Sequence, residues 1–80
     1  MLNKLEGKKV VGIKQTQKAI INMRCEAVYI AEDAEAKLIE PLVKLAKERS
    51  LELVYIDTMK SLGKLCGIDV GAAVAATLKL

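Results

Sequence analysis

The chain contains no histidine, phenylalanine or tryptophan, and in 80 residues it has one proline, two cysteines and two tyrosines. Each scarcity closes a class of function. Without histidine the commonest general base and a major metal ligand are gone. Cys25 and Cys66 are far apart and form no CxxC pair, so no zinc site and no dithiol redox centre is expected. Cys66 as a nucleophile would need an activating base, and none is visible; a small buried thiol is the simpler reading. Tyr29 and Tyr55 fall in presumed strands, which leaves no aromatic platform for the unstacked bases of a linear single strand. No apolar run approaches the ~20 residues of a membrane span. The lysines of "MLNKLEGKK" are followed by no apolar leader segment. A cytoplasmic protein with reduced thiols and no membrane contact is expected.

Two familiar loop chemistries are missing as well. "EDAEAKLIE" gathers Glu32, Asp33, Glu35 and Glu40 without the spacing or glycine of a calcium loop; an acidic helix start complementing the helix dipole is the better reading. "GIDVG" and "LGKLCG" do not match the glycine-rich loop that cradles nucleotide phosphates. No metal, cofactor or catalytic machinery is expected.

What is present is aliphatic. Hydrophobic residues make up 52% of the chain, mostly Leu, Ile, Val and Ala. One domain over residues 1–80 can therefore build a core, although a chain of this size buries only roughly 60–65% of its unfolded surface. The net charge of +3 is unevenly spread. Residues 1–24 hold six bases (Lys4, Lys8, Lys9, Lys14, Lys18, Arg24) against Glu6. Residues 25–57 hold eight acids against four bases, and the remainder three bases against Asp69. A basic end beside an acidic middle points to a one-sided footprint for a polyanion, or to a solvated lysine-rich surface.

The hydrophobic pattern alternates between two periods. "KKVVGI" reads as a short strand ending at Gly12. Thr16, Ala19, Ile20 and Met23 then recur at helical spacing, with Lys14, Gln15, Lys18 and Asn22 opposite. "EAVYIAED" is a second strand. In "AEAKLIEPLVKLAKERS", Leu38, Ile39, Leu42, Val43 and Ala46 share a helical face. Pro41 suits a first turn, so a short turn at 34–39 and a main helix from about 41 to 49 are expected. "LELVYID" is a third strand. "TMKSLGKLCG" is a short helix with Thr58 as cap and Gly67 as stop. The tail "AAVAATLKL" fits a helix by alanine propensity or a buried strand by its apolar run. Strand–helix alternation implies a sheet covered on both faces, an α/β/α sandwich.

Three stretches in this order, "VGIKQTQKAI", "VYIAEDAE" and "DTMKSLGKLCGIDVGAAVA", resemble the L-seven-Ae family of ribosomal and kink-turn RNA-binding proteins. The similarity is greatest to its small bacterial members of the YbxF type and runs from about Lys8 to the C-terminus. The resemblance implies a single-domain three-layer α/β/α sandwich with a central mixed four-stranded sheet, and hence a strand for the alanine-rich tail. It also implies a monomer that binds kink-turn RNA, in ribosomal RNA or a riboswitch-type RNA, with the ribosome as an associated partner. Relatives carry Gly-x-Asn-Glu-x-x-Lys at the first strand–helix junction; Gly12 and Lys18 match, and Lys14-Gln15 is the form of the bacterial branch. In Thr58-Met59-Lys60-Ser61-Leu62-Gly63, Met59 takes the place of a lysine that many relatives carry, and Lys60 is its nearest substitute. "GIDVG" matches the loop that relatives pack against RNA, which makes Ile68, Asp69 and Val70 site residues by resemblance.

A kink-turn is a sharply bent duplex with sheared G·A pairs. Its widened groove exposes guanine O6 and N7, which an ordinary A-form groove hides. Lysine can donate to those acceptors, and an amide can both donate and accept on a purine edge. Gly12 permits close backbone approach, and the helix N-terminus offers free N–H groups to phosphate. Ile68 and Val70 would pack against an extruded nucleotide, or else fold inward as satellite core. Lys8, Lys9 and Lys64 are candidates for flanking phosphates. Two rival readings remain open: a protein-interaction module on the same fold, and a small thiol enzyme using Cys66.

Overall fold

A computed structural model describes residues 8–79; Lys4 and Glu6 of the basic N-terminal segment lie outside the described residues. The elements are β1 (Lys9–Val11), α1 (Ile13–Ile21), β2 (Cys25–Ala31), α2 (Ala36–Glu48), β3 (Glu52–Ile56), α3 (Met59–Leu65) and β4 (Val74–Leu78). The strands form one mixed sheet in the order β1-β4-β2-β3. β2 and β3 pair in parallel, and β4 runs antiparallel to both of its neighbours.

The layers follow from the connections. The steps from β1 to β2 and from β2 to β3 move the same way across the sheet, so right-handed crossovers place α1 and α2 on one face. There Ile20, Val28, Ile30, Leu42, Ala46 and Val74 form one core. α3 covers the opposite face, where Leu62, Cys66, Ala31, Ala72 and Ala75 form a second. This is the expected α/β/α sandwich. The alanine-rich tail is a strand, as the resemblance implied, and one of the two inner strands of the sheet. Ala75 and Ala76 are fully buried toward opposite faces of the sheet, where small side chains fit a strand paired on both edges and covered on both sides.

All three helices end in the same turn. After α1, the Met23 N–H donates to the Ile20 carbonyl (3.0 Å) and the Arg24 N–H to the Ala19 carbonyl (2.9 Å). After α2, Ser50 bonds to Lys47 (3.1 Å) and Leu51 to Ala46 (2.9 Å); after α3, Gly67 bonds to Lys64 and Ile68 to Gly63, both at 3.0 Å. Each turn needs one left-handed residue, and these are Met23 (φ 60°), Ser50 (φ 56°) and Gly67 (φ 77°). Gly67 therefore ends α3 as expected, and Thr58 caps its start by accepting the Ser61 N–H at 3.0 Å. Met23, expected on the apolar stripe of α1, lies beyond the helix and is 73% exposed; the buried residues of α1 are Thr16, Ala19 and Ile20.

Two expectations about α2 are corrected. There is no break at Pro41: one helix runs through it. Proline removes the N–H that would bond the Lys37 carbonyl, but Lys37 and Pro41 are both exposed, so water can satisfy that oxygen and the ring meets no packed neighbour. Leu38 is also not buried. The inward line of the helix passes through Leu42 and Ala46, with Ile39 and Val43 packed beside it. Leu38 lies in the first turn and is 49% exposed.

Buried thiols give the fold an alkaline limit. Burial pushes Cys25 and Cys66 above the ordinary thiol value of 9.0, opposed in part by Lys79 and Lys9 respectively. Tyr29 is raised above 10.0, first by burial and then by Glu52 and Glu26. A group whose folded pKa is raised contributes stability below its unfolded pKa, and that contribution is lost as pH climbs through the folded one. With no histidine to titrate between pH 5 and 8, urea midpoints should be flat through neutrality and fall above about pH 9. A Cys25→Ala/Cys66→Ala variant should fall less steeply.

Candidate functional site

β1, β2 and β3 point the same way, so their carboxyl ends and the start of β4 meet at one end of the sheet. The carboxyl end of parallel strands is where α/β sheets present ligand-binding loops. Four connections gather there: Gly12, residues 32–35, residues 57–58 and residues 66–73.

Gly12 sets the geometry of the first. Its φ of 103° and ψ of 161° belong to a region open essentially to glycine alone. Its N–H donates to the Val74 carbonyl at 2.9 Å, which extends the β1–β4 pairing by one residue, and its carbonyl accepts the Thr16 N–H at 3.0 Å, which starts α1. A Cβ at this position would meet nothing within 4 Å. Glycine is thus required by backbone conformation, and the space above it is open.

The tip of α1 that follows is bare. Glycine supplies no capping side chain, and no acidic residue lies in the first turn. The N–H groups of Ile13, Lys14 and Gln15 have no helical partner, as at any helix start. Lys14, Gln15 and Lys18 are exposed, whereas Thr16 is fully buried. Lys14 and Lys18 are one turn apart on the same side, and Gln15 and Lys18 line a shared groove with Asn22 and Arg24.

The loop after α3 is held by two glycines. Gly63 is buried inside α3, and a Cβ there would overlap the Val70 carbonyl oxygen. A Cβ on Gly71 would come within 3.2 Å of the Met59 Cβ. The Ala72 N–H donates to the Met59 carbonyl at 3.0 Å. The loop therefore lies flat on α3 with its backbone turned inward at residue 70, and the Val70 side chain projects outward at 69% exposure. Ile68 does otherwise: it is half-buried against the second core. Lys60, Lys64, Ile68, Asp69, Val70 and Gly71 line one shallow cleft. The structure thus places Lys60 beside the loop and turns Lys64 to the same cleft. Lys8 is exposed, while Lys9 is half-buried on the face of α3 and close enough to Cys66 to lower its pKa.

Two groups emerge, Gly12 with Lys14, Gln15 and Lys18 on one side of the sheet's end, and Lys60, Lys64, Asp69 and Val70 on the other. The Gly12–Val74 hydrogen bond lies at the root of both. The acidic turn occupies the β2–β3 side of the same end. Its Asp33 has a role that spacing did not reveal: the carboxylate accepts the Met59 N–H at 2.7 Å, tying the turn to the start of α3. Gly63 and Gly71 were also missed as site-shaping residues, because helix and loop signals carry no record of which backbone they approach. Among the described residues no cluster of acids, cysteines and histidines could hold a metal ion, and no helix is long and apolar enough to cross a membrane. Cys66 is 6% exposed and its thiol is pushed up by burial, the opposite of what nucleophilic activation requires.

The profile of the ribosomal protein L7Ae/L30e/S12e/Gadd45 family matches residues 2–79. The chain belongs to this family. An RNA-binding protein of Caldanaerobacter subterraneus is 54% identical to it over 69 residues, covering 86% of this chain and 84% of the relative. The RNA-binding protein YbxF of Geobacillus stearothermophilus is 42% identical over 73 residues, covering 91% and 89%. Among solved structures, the 15.5 kD RNA binding protein of Giardia lamblia superimposes with a TM-score of 0.84 at 25% identity, over 90% of this chain and 61% of that one. The L7Ae-type family is non-enzymatic, and this chain is not an enzyme.

Proposed function

We propose that this chain is an RNA-binding protein, a single domain over residues 1–80 acting as a monomer, that recognises kink-turns in ribosomal or riboswitch-type RNA. One observation carries the reading. A helix tip without cap or acid, rooted in a glycine-only backbone, presents Lys14, Gln15 and Lys18 next to a loop that thrusts Val70 into solvent. The lysines and the amide match purine N7, O6 and amino groups. The free N–H groups of α1 match phosphate. Val70 offers an apolar surface to a base or sugar turned out of the stack, with Lys60 and Lys64 beside it for the backbone. Asp69 is fit to accept from a base amino group or a ribose hydroxyl. The acidic turn at the β2–β3 side repels a polyanion and confines it to the β1–β4 side. Similar proteins bear RNA-binding names, and the large ribosomal subunit protein eL8 of Halobacterium salinarum is 35% identical over 84% of this chain and 57% of its own length, which supports an association with ribosomes.

The loop residues give the test. Val70→Asp should leave the urea midpoint almost unchanged and weaken kink-turn binding at least roughly tenfold, because one outward side chain is exchanged for a charge facing phosphates. Ile68→Asp should instead lower stability, since it places a carboxylate against the second core. Full RNA affinity in a folded Val70→Asp protein would remove the loop from the interface.

A further inference from the structure

Among the described residues, the far end of the molecule carries a feature that neither the packing of the fold nor the proposed RNA binding uses. There α1 and α2 terminate, β2 and β3 begin, and β4 ends. Ile20, Met23, Cys25, Arg49, Leu51 and Lys79 line a cleft. Its floor is apolar, with Ile20 and Cys25 each 1% exposed. On its margin stands Met23, 73% exposed, and Ile21 on the last turn of α1 is 51% exposed. Met23 holds the left-handed position of a helix-ending turn, where glycine would be free of strain. A long apolar side chain there contributes neither to the turn nor to the core. The rim is cationic. Arg49 donates from Nη1 to the Ile20 carbonyl at 3.4 Å, which leaves most of its five N–H donors for another acceptor, and Lys79 stands across the cleft. The Lys79 N–H pairs with the Arg24 carbonyl at 2.8 Å, which fixes the chain after β4 at this margin.

We propose that this cleft is a docking site for an acidic segment of another protein, one that inserts an apolar side chain beside Met23 and sets its carboxylates on Arg49 and Lys79. The charge pattern selects the partner's chemistry: an apolar floor within a cationic rim complements an apolar residue flanked by Asp or Glu. Methionine suits such a contact because its flexible thioether adapts to the side chain it meets. The site lies opposite the proposed RNA-binding end and does not depend on that reading. A protein segment and an RNA can occupy the chain together.

The probe is a short synthetic peptide with two leucines between aspartates, compared with a version carrying lysines in their place, each titrated into isotope-labelled protein. The expected result is saturable shifts at Ile20, Met23, Arg49 and Leu51 with the acidic peptide only. Met23→Gly and Arg49→Glu should each weaken it roughly tenfold or more and leave kink-turn RNA affinity within about twofold. Met23→Gly should keep or raise the urea midpoint, so lost binding cannot be lost folding. No shifts at millimolar acidic peptide, equal binding of the lysine peptide, or indifference to both substitutions would overturn the proposal. So would concentration-dependent self-association abolished by Leu38→Lys, because Leu38 between Glu35 and Glu40 has the same chemistry and would assign the cleft to a second copy.

Discussion

Replacing Lys14 and Lys18 together by alanine should cost about 2–4 kcal/mol of kink-turn affinity, or roughly 30- to 1000-fold, with little change in the urea midpoint. Each lysine aimed at a purine edge is worth about 1–3 kcal/mol, and neighbours one turn apart contribute less than the sum of their separate effects. Stability is spared because both side chains are exposed while Thr16, Ala19 and Ile20 carry the packing of α1. Alanine also favours the helix. Gln15→Ala should give a smaller loss, as a single neutral contact does. Gel-shift or fluorescence titrations at one fixed salt concentration measure both losses. Unchanged affinity in the double variant would take the α1 tip out of the interface.

Gly63→Ala should be the most damaging small substitution in the protein. Elsewhere in a helix interior, glycine to alanine gains up to about 1 kcal/mol. Here the added methyl would occupy the space of the Val70 carbonyl, a backbone atom that no rotamer change can move. The loop must lift from α3, which strains the Ala72–Met59 hydrogen bond and the packing of Ile68. Overpacking of this kind costs about 1–3 kcal/mol, against a total of about 4–12 kcal/mol for a chain of this length. RNA affinity should fall as well, because Val70 loses its fixed position. Chemical denaturation and RNA titration of the same variant check both outcomes. A Gly63→Ala protein more stable than its parent would mean that the loop does not rest on the helix.

Much of this architecture was legible in the residues because local and global signals agree. Thr58 and Gly67 bracket α3 by their own chemistry, and the periodic apolar positions of α1 and the β-branched runs of the strands mark their elements. The misreadings occur where tertiary context decides. Met23 and Ser50 take left-handed positions usually marked by glycine, so the end of α1 read two residues too long. Pro41 read as a helix start because a proline's tolerance depends on whether the carbonyl it orphans faces water, and spacing does not record that. The alanines of β4 carry helical propensity, yet a central strand between two layers requires small side chains more than intrinsic preference. Within the candidate site, Lys14, Gln15 and Lys18 could be placed from the helical period alone. Ile68 and Val70 looked alike, and only the contact between Gly63 and the Val70 backbone separates an inward residue from an outward one.

The most direct test of the central claim is a paired titration of a kink-turn RNA and the same RNA with its sheared G·A pairs changed to Watson–Crick pairs, each at low and high salt. A purely electrostatic binder loses roughly 0.7–0.9 log units of affinity per neutralised phosphate for each tenfold rise in salt, whatever the RNA's shape. A protein that reads purine edges with Lys14, Gln15 and Lys18, and a displaced nucleotide with Val70, should prefer the kink-turn at low salt and keep that preference at high salt. Equal affinity for the two RNAs at both salt concentrations would contradict the account and leave the α1 tip as no more than a basic surface.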